Sequence, residues 1–287
     1  MSRSALLLVV AAAALWALLG VWSTELLQAG AAPAEIAFWR AAVGGAGFVA
    51  HAVVRQRPID RRDIPLDAGL GVVGVALFYA ALPAAIEGAG IGVAWVLLYT
   101  APAFVIAVGW LTGDEPPQLR SVVLVGAALA GVALVAGGTD SDVSVAGVLW
   151  GLVAAATYSL HYLVVRWAHS PDDAVGRYAV ALPVAALLLL PFVDFTTTSL
   201  REWLLVVALG VLSTYLPFLA IGTAVRRADP RRVAVVAAVE PVLAVLLAAA
   251  VYGDRLSPVQ AVGGAIVLAV AVLTAGGPRM PAVGRGG

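Results

Sequence analysis

The chain of 287 residues contains no cysteine and no lysine, and charged residues make up only 12% of it. The missing cysteines exclude a disulfide scaffold. The missing lysines exclude a retinal-type Schiff base and a catalytic lysine. Soluble domains are about a quarter charged, so this chain has too little polar surface for a fold that faces water on all sides. Hydrophobic residues reach 62%, which excludes a disordered chain, and the mean hydropathy is +0.99. These values are typical of an integral membrane protein.

Long apolar stretches are what the sequence has in abundance. A bilayer core of about 30 Å is crossed by roughly 20 apolar residues of helix. On this basis the sequence predicts an all-α integral membrane protein with ten transmembrane helices, and with no room for a soluble catalytic domain. The predicted spans are Ala5–Leu27, Glu35–Val54, Leu66–Ala85, Gly90–Leu111, Arg120–Ala136, Val145–Val165, Ala174–Pro191, Trp203–Val225, Val233–Val251 and Val259–Ala275.

The arginines predict the orientation, because cytoplasmic loops carry an excess of positive charge. With a cytoplasmic N-terminus, thirteen arginines fall at the inner face and two, Arg201 and Arg255, at the outer face. The inner set is Arg3, Arg55, Arg57, Arg61, Arg62, Arg120, Arg166, Arg226, Arg227, Arg231, Arg232, Arg279 and Arg285. We therefore expect both termini in the cytoplasm and the protein in the plasma or inner membrane.

The two halves of the chain show related landmarks. Pro102 is as far from the pair Gly137-Gly138 as Pro241 is from Gly276-Gly277, at an offset of 139 residues. In the first half, the connection between the second and third spans carries four arginines, and the corresponding connection of the second half carries only Arg201. The connection between the third and fourth spans carries none in the first half and four in the second. Five spans per half is an odd number, so the second half enters the membrane upside down. Such inverted five-helix repeats are common in alternating-access carriers.

Three stretches resemble a known transporter family. They are Pro33–Arg40 (PAEIAFWR), Glu240–Leu243 (EPVL) and Gly253–Gln260 (GDRLSPVQ), although the family usually has Gly-Glu where this chain has Gly-Asp. The chain is similar to the ten-helix, EamA-type transporters of the drug/metabolite transporter superfamily. The resemblance implies two EamA repeats, at 4–138 and 146–277. It also implies a secondary transporter that exports small metabolites such as amino acids, with efflux of drugs or toxic compounds as an alternative.

Glu240 is the most informative candidate site residue. It lies within span nine, where an ionisable group is costly unless it faces a partner or water. Pro241 has no N–H and frees the carbonyl four residues before it, so Pro241 and its counterpart Pro102 are predicted helix kinks. We interpret Glu240 as lining a central cavity, where it binds a cationic group or takes part in proton coupling. The alternative is a structural carboxyl that bonds freed backbone or neighbouring hydroxyls.

Arg40 is the second charged candidate. It lies about five residues inside the outer end of span two, roughly 8 Å deep at 1.5 Å per residue. Its guanidinium could bind a substrate carboxylate through two parallel hydrogen bonds. The alternatives are extension to the outer headgroups or pairing with Glu35 or Glu25. One acid and one base in the same cavity favour a zwitterionic substrate such as a neutral amino acid.

Aromatic side chains at comparable depths predict the walls of a midplane cavity between the two halves, bounded mainly by spans one, three, four, six, eight and nine. Rings offer apolar contact together with a polar edge, which suits a small amphipathic solute. Helix packing is the alternative role for each ring. The predicted wall residues are Trp16, Tyr79, Trp95, Tyr99, Tyr158 and His161.

Other classes of function lack their motifs. The chain has no His-Glu-x-x-His zinc site, no Gly-x-Ser-x-Gly elbow and no Walker loop. We therefore expect no enzymatic activity, no cofactor, no metal and no nucleic-acid partner. The expected partners are a small-molecule substrate and the lipid bilayer. A homodimer, an intramembrane enzyme, a channel and a substrate-binding sensor are the alternatives that remain open.

Overall fold

The computed structural model describes residues 3–56, 59–113, 118–136, 143–170, 173–227, 233 and 236–275, and these form helices joined by short connections without a strand. Six helices are long and apolar enough to cross a membrane, and four shorter apolar helices accompany them in this part of the chain. They are Arg3–Gln28 (span 1), Pro33–Val54 (span 2), Ile64–Leu98 (span 3 and the first part of span 4), Ala101–Leu111 (the rest of span 4), Leu119–Ala136 (span 5), Val145–Trp167 (span 6), Ala174–Leu189 (span 7), Leu200–Arg227 (span 8), Glu240–Tyr252 (the second part of span 9) and Pro258–Ala275 (span 10).

Helix is the expected form of these segments, because a lipid-exposed backbone must satisfy its hydrogen bonds within itself. The helix starts carry the usual signals. Pro33 occupies the first turn of span 2, where its missing N–H costs nothing. Ser199 and Glu202 form a capping box at the start of span 8. The observed ends agree with the predicted spans to within a few residues at most boundaries.

Spans 3 and 4 meet at Gly90, whose backbone is not helical, so the helix of span 3 ends and that of span 4 begins at this residue. Gly90 has φ of 78°, a conformation that suits glycine because it has no Cβ. A Cβ at this position would lie 2.9 Å from a carboxylate oxygen of Asp254. That carboxylate accepts a hydrogen bond from the backbone N–H of Gly92 at 3.2 Å. The bend therefore brings the second half of the chain against the first turn of span 4.

The same irregularities occur in both halves. Spans 3 and 8 each contain an eight-residue π-helical segment, at Leu70–Leu77 and Ala208–Tyr215. Helices that follow a break begin at Ala101 and at Glu240, 139 residues apart. Corresponding glycines after these helices, Gly113 and Gly253, have φ of 73° and 72°. These paired features are what a repeated five-span unit predicts, and its inversion in the membrane stays a prediction.

The halves pack against each other through matched pairs of spans. Span 2 packs against span 7, span 5 against span 10, and the Phe78–Leu98 helix of spans 3 and 4 against span 6. Span 1 contacts spans 8 and 9. At the crossing of spans 5 and 10, a Cβ on Gly131 would lie 2.9 Å from the carbonyl oxygen of Gly263, so the two backbones approach closely. This arrangement leaves the largest core cluster around spans 1, 2, 3, 4 and 7.

Part of the predicted charge pattern and part of the predicted repeat fall outside the described residues. The arginines of the inner set that lie outside them are Arg57, Arg231, Arg232, Arg279 and Arg285. The repeat landmarks that lie outside them are the glycine pairs Gly137-Gly138 and Gly276-Gly277. The paired helix starts, π-helical segments and glycines described above all lie within them.

Candidate functional site

Two helix breaks, one in each half, build the centre of the candidate site. Span 4 is interrupted by a turn at 99–100 and span 9 by a turn at 238–239. Pro102 and Pro241 each lie in the first turn of the helix that resumes after the break. A proline is well tolerated there because the first N–H groups of a helix have no intrahelical partner. The two prolines thus stand at the start of new helices, rather than at bends inside continuous ones.

Glu240 begins the resumed helix of span 9 and is 6% exposed. Its Oε1 accepts a hydrogen bond from Trp95 Nε1 at 3.1 Å, and its Oε2 lies 3.0 Å from the hydroxyl of Tyr99. The Tyr99 hydroxyl also lies 3.1 Å from the backbone carbonyl of Ala237. This is the carbonyl four residues before Pro241, which the proline leaves without a helical donor. The break of span 4 is therefore bonded directly to the break of span 9.

Arg40 lies in span 2 and is 4% exposed. Its Nε donates a hydrogen bond to Thr214 Oγ1 at 3.0 Å, and Thr214 lies in the π-helical segment of span 8. The guanidinium carbon stands 3.8 Å from the centre of the Tyr79 ring, within the range of a cation–π interaction. This burial contradicts the alternative in which Arg40 extends to the outer headgroups.

The acids proposed as alternative partners of Arg40 are engaged elsewhere. The Glu35 carboxylate accepts backbone N–H bonds from Thr196 at 3.0 Å and Thr197 at 2.9 Å. Glu25 is paired with Arg201. Pairing of Arg40 with either acid was therefore a wrong alternative, because both carboxylates bind to the predicted outer ends of spans 7, 8 and 9 instead.

A small cavity lies between these two charged groups. Aromatic rings make up much of its wall: Phe78 stands 5.0 Å from Tyr158, and Trp16 stands 5.7 Å from Phe218, ring centre to ring centre. The lining residues are Trp16, Leu19, Arg40, Phe78, Leu82, Trp95, Leu98, Tyr158, Phe218 and Glu240.

The eight predicted site residues fall into three groups according to where they lie. Five line the cavity, and two more hold its charged groups, with Tyr79 against Arg40 and Tyr99 against Glu240. His161 lies behind the wall, where its Nε2 is 2.8 Å from the carbonyl of Gly74 in the π-helical segment of span 3. Carbonyls in such a segment depart from the regular α-helical pairing, which leaves room for this side-chain partner. The roles of all eight in binding stay predictions.

Besides the lining residues Leu19, Phe78, Leu82, Leu98 and Phe218, the sequence does not predict Thr214, the partner of Arg40. A threonine within an apolar span carries no pattern of its own, because its hydroxyl usually bonds to its own helix. Here the hydroxyl donates to the carbonyl of Leu209, five residues back, at 3.1 Å, and accepts from Arg40. Only the π-helical geometry of span 8 and the packing of span 2 against it bring these groups together.

A second small cavity lies between spans 3 and 7. Asp67 and Arg177 form a buried ion pair in it, with Oδ1 and Nε 3.3 Å apart. Nearby, the Asp63 carboxylate accepts backbone N–H bonds from His169 and Ser170, both at 2.8 Å. Burial acts to raise the pKa of Asp63, but these hydrogen bonds outweigh it and hold that pKa below its ordinary value of 3.8. This cluster joins the two halves at the predicted cytoplasmic face.

The described residues contain no group of three or more His, Cys, Asp or Glu side chains arranged to hold a metal ion. The central cavity offers charged and aromatic groups. They can bind charged and apolar parts of a small solute at the same time.

Comparison with known proteins places this chain in a family. The model of the EamA-like transporter family matches residues 3–137 and 145–276. An uncharacterized transporter of Archaeoglobus fulgidus is 30% identical over 226 residues, which cover 78% of this chain and 80% of that protein. The uncharacterized transporter YdfC of Bacillus subtilis is 25% identical over 269 residues, which cover 88% and 86% of the two chains.

A solved structure, described only as a crystal structure of a protein, shares the fold. Its TM-score is 0.63 at 23% sequence identity, and the match covers 94% of this chain and 96% of the other. The all-α, multi-pass membrane fold predicted from the sequence is confirmed. The chain belongs to the EamA-like transporter family.

Proposed function

We propose that the protein is a secondary transporter of small zwitterions, such as neutral amino acids, and that the central cavity is its substrate site. One observation carries this proposal: a buried arginine and a buried glutamate line the same aromatic cavity. Arg40 would bind the carboxylate of the substrate and Glu240 its ammonium group. The rings between them would contact its apolar part.

The bonding of the two charged residues supports a zwitterionic substrate. In the described part of the chain, the ion pairs involve other residues, and Arg40 and Glu240 are held by Thr214, Trp95 and Tyr99. A buried charge without an opposite charge beside it is costly. A solute with both a carboxylate and an ammonium group offsets that cost at both ends of the cavity.

The presence of Arg40 in the wall also argues against the alternative of multidrug efflux. Organic cations suit a cavity of aromatic rings with one acid, because rings and a carboxylate both attract positive charge. An arginine held in the same cavity by Thr214 repels them. The zwitterion is therefore the better match to the charges present.

Transport would follow alternating access around this cavity. The two helix breaks and the bend at Gly90 supply the places where spans 4 and 9 can change direction. The arginine distribution supports cytoplasmic termini in the plasma or inner membrane, and the family resemblance favours export.

Counterflow in proteoliposomes tests the proposal. Vesicles are loaded with a pool of protein amino acids, and uptake of each labelled amino acid is compared with protein-free vesicles. We expect at least one neutral amino acid to exchange in the wild type, and the rate to fall at least about tenfold in Glu240→Gln and Arg40→Gln, the effect of losing one charged hydrogen bond.

Matched controls replace the same residue types outside the cavity. Glu87→Gln changes an exposed acid, and Arg201→Gln an arginine that is mostly exposed. Both should exchange like the wild type. Exchange that persists in Glu240→Gln and Arg40→Gln, at the rate of these controls, would contradict the proposed site.

A further inference from the structure

The hydroxyl of Tyr99 is placed between two oxygen atoms that both accept hydrogen bonds. It lies 3.0 Å from Glu240 Oε2 and 3.1 Å from the carbonyl oxygen of Ala237. A tyrosine hydroxyl has one hydrogen to donate. If Glu240 is ionised, that hydrogen can bond either Glu240 Oε2 or the Ala237 carbonyl oxygen. The other of these two oxygen atoms then faces the Tyr99 oxygen with no hydrogen between them.

Trp95 determines which oxygen of Glu240 can take a proton. The indole Nε1 of Trp95 only donates, so Oε1 of Glu240, at 3.1 Å, is an acceptor. Oε2 is the remaining oxygen and faces Tyr99. With a proton on Oε2, Glu240 donates to Tyr99 and Tyr99 donates to Ala237. Both oxygen–oxygen contacts, from Glu240 Oε2 to Tyr99 and from Tyr99 to the Ala237 carbonyl, are then hydrogen bonds.

The Ala237 carbonyl depends on this hydrogen because of the proline after it. In a continuous helix its donor would be the N–H of residue 241, and Pro241 has none. The turn at 238–239 adds to the interruption. Losing the Tyr99 hydrogen bond therefore leaves this partly buried carbonyl without its partner, which costs free energy.

A similar contact at the other end of the same helix shows the difference. The Tyr252 hydroxyl lies 3.1 Å from the carbonyl of Val21 and 2.8 Å from Glu25 Oε1. Val21 lies inside the continuous helix of span 1, where the N–H of Glu25 is in register to serve its carbonyl. Glu25 is also paired with Arg201. The Val21 carbonyl therefore does not depend on the Tyr252 hydroxyl, whose one hydrogen can serve Glu25.

We propose that Glu240 Oε2 is a proton-binding site, and that the proton and the substrate's ammonium group compete for it. This inference rests on the proposed function. The proton on Oε2 holds the breaks of spans 4 and 9 together through Tyr99. An arriving ammonium group, with three N–H donors, bonds Glu240 Oε2 and the Ala237 carbonyl, and the displaced proton leaves to water on the open side. The carrier thus closes with either a proton or a substrate, and exchanges one for the other.

The other ionisable groups around Glu240 keep their charge state near neutral pH. Arg40 of span 2 interacts with Glu240 from across the cavity, and so do Tyr158 and Tyr162 of span 6. Phenols titrate near pH 10 and arginine above about 12. His161 bonds Gly74 and Tyr178 behind the wall and does not contact Glu240.

The remaining neighbours of Glu240 are also neutral or distant. Span 1 packs against the helix of Glu240 and contributes the neutral Trp16 to the cavity, while its Glu25 lies at the Tyr252 end of that helix. Glu240 is therefore the one carboxyl among the residues that line this cavity, and its proton is the one that the proposal concerns.

Hydrogen–deuterium exchange of purified protein, with no substrate present, tests the proton site. The readout is the peptide 236–248 in acidic and alkaline buffer, corrected for the intrinsic pH dependence of exchange. In the wild type we expect about tenfold faster exchange in alkaline buffer, the effect of one lost hydrogen bond of ordinary strength. Glu240→Gln should exchange slowly in both buffers, because its amide can donate to Tyr99 as a protonated carboxyl does.

Two tyrosine variants distinguish loss of the Tyr99 hydrogen bonds from a general destabilisation of the helix that contains Glu240. Tyr99→Phe should exchange fast in both buffers, because it removes the hydroxyl. Tyr252→Phe removes a hydroxyl with similar contacts at the end of the same helix and should behave like the wild type. Equal protection of the wild type and Tyr99→Phe at both pH values would overturn the proton site.

Proton movement in proteoliposomes tests the exchange itself. Vesicles contain a pH-sensitive dye, and the pool of protein amino acids is added outside. We expect the interior to become alkaline in the wild type and to stay unchanged in Glu240→Gln. Amino-acid uptake without proton movement would overturn the coupling and leave the proposed function intact. If exchange of peptide 236–248 depends on pH but no amino acid is taken up, the proton site is supported and the proposed substrate class is contradicted.

Discussion

At the scale of single residues, the site depends on neutral groups that hold two ionisable side chains in place. Arg40 is positioned by one hydroxyl and one ring, and Glu240 by one indole and one phenol. Hydrogen bonds to charged groups are worth about 1.5–3 kcal/mol, more than bonds between neutral groups. Changes in these neutral partners should therefore alter substrate affinity without removing either charge.

Thr214→Val tests this at the arginine. The change keeps the shape of the side chain and removes the oxygen that accepts from Arg40 Nε. We expect the apparent substrate affinity in counterflow to fall about tenfold or more, because the guanidinium loses its fixed orientation. Thr157→Val is the matched control, since its hydroxyl bonds only to carbonyls of its own helix. Equal affinities of the two variants would show that Thr214 does not orient Arg40.

Asp63 predicts a pH dependence of stability. Its pKa in the folded protein lies below 3.8, so its carboxylate stabilises the fold above the unfolded-state pKa. This contribution is lost as the pH falls through the lowered folded-state pKa. In detergent near neutral pH, Asp63→Asn should lower the melting temperature by about 5 °C, from ~1.5–3 kcal/mol per charged hydrogen bond and ~2–4 °C per kcal/mol.

The same prediction covers the melting temperatures at low pH. As the pH falls below the folded-state pKa of Asp63, the melting temperatures of Asp63→Asn and the wild type should converge. A difference that persists unchanged into strong acid would mean that the carboxylate of Asp63 is not the stabilising group.

At the scale of elements, the breaks in spans 4 and 9 are the features that set this fold apart from a bundle of continuous helices. Each break is followed by a proline in the first turn of the next helix. The two are joined through Tyr99, Glu240 and the Ala237 carbonyl. A site at the ends of broken helices gives a substrate access to backbone groups that a continuous helix would occupy.

Pro241→Ala tests the break in span 9. Alanine restores the N–H that the Ala237 carbonyl lacks, so the helix can continue through the turn at 238–239. We expect a higher melting temperature, because alanine favours helix, and at least about tenfold slower counterflow. Pro258→Ala, at the exposed start of span 10, is the control and should leave counterflow unchanged. Normal counterflow in Pro241→Ala would show that the break is not required for transport.

The spans could be predicted from the sequence because the bilayer imposes a length and an apolar composition on each one. The freed carbonyl before Pro241 could be predicted too, since it follows from the missing N–H of proline. Its bond to Tyr99 could not, because that contact depends on how spans 4 and 9 pack. Thr214 and the π-helical segments were likewise out of reach, since backbone irregularity and tertiary packing decide them together.

At the scale of the whole molecule, paired features 139 residues apart indicate two copies of one unit. The arginine pattern predicts that these copies cross the membrane in opposite directions. Equivalent joints of the two copies should then lie at opposite faces. The cavity between the copies would open to each face in turn as they move against each other.

Single cysteines test the inversion, because the chain contains no cysteine of its own. Glu87→Cys and Arg227→Cys mark corresponding joints, and both positions are exposed. In intact cells, a membrane-impermeant maleimide should label Glu87→Cys and should label Arg227→Cys only after permeabilisation. Labelling of both from the same face would contradict the inverted arrangement.

The central claim is that one solute is held at both ends, by Arg40 and by Glu240. Its most direct test is competition in wild-type counterflow between the exchanged amino acid, its N-acetyl form and its amide. The first has both charges, the second lacks the ammonium group, and the third lacks the carboxylate. We predict that only the amino acid competes strongly and that each derivative is weaker by at least about tenfold, the effect of one charged contact. Equal competition by all three would contradict the claim.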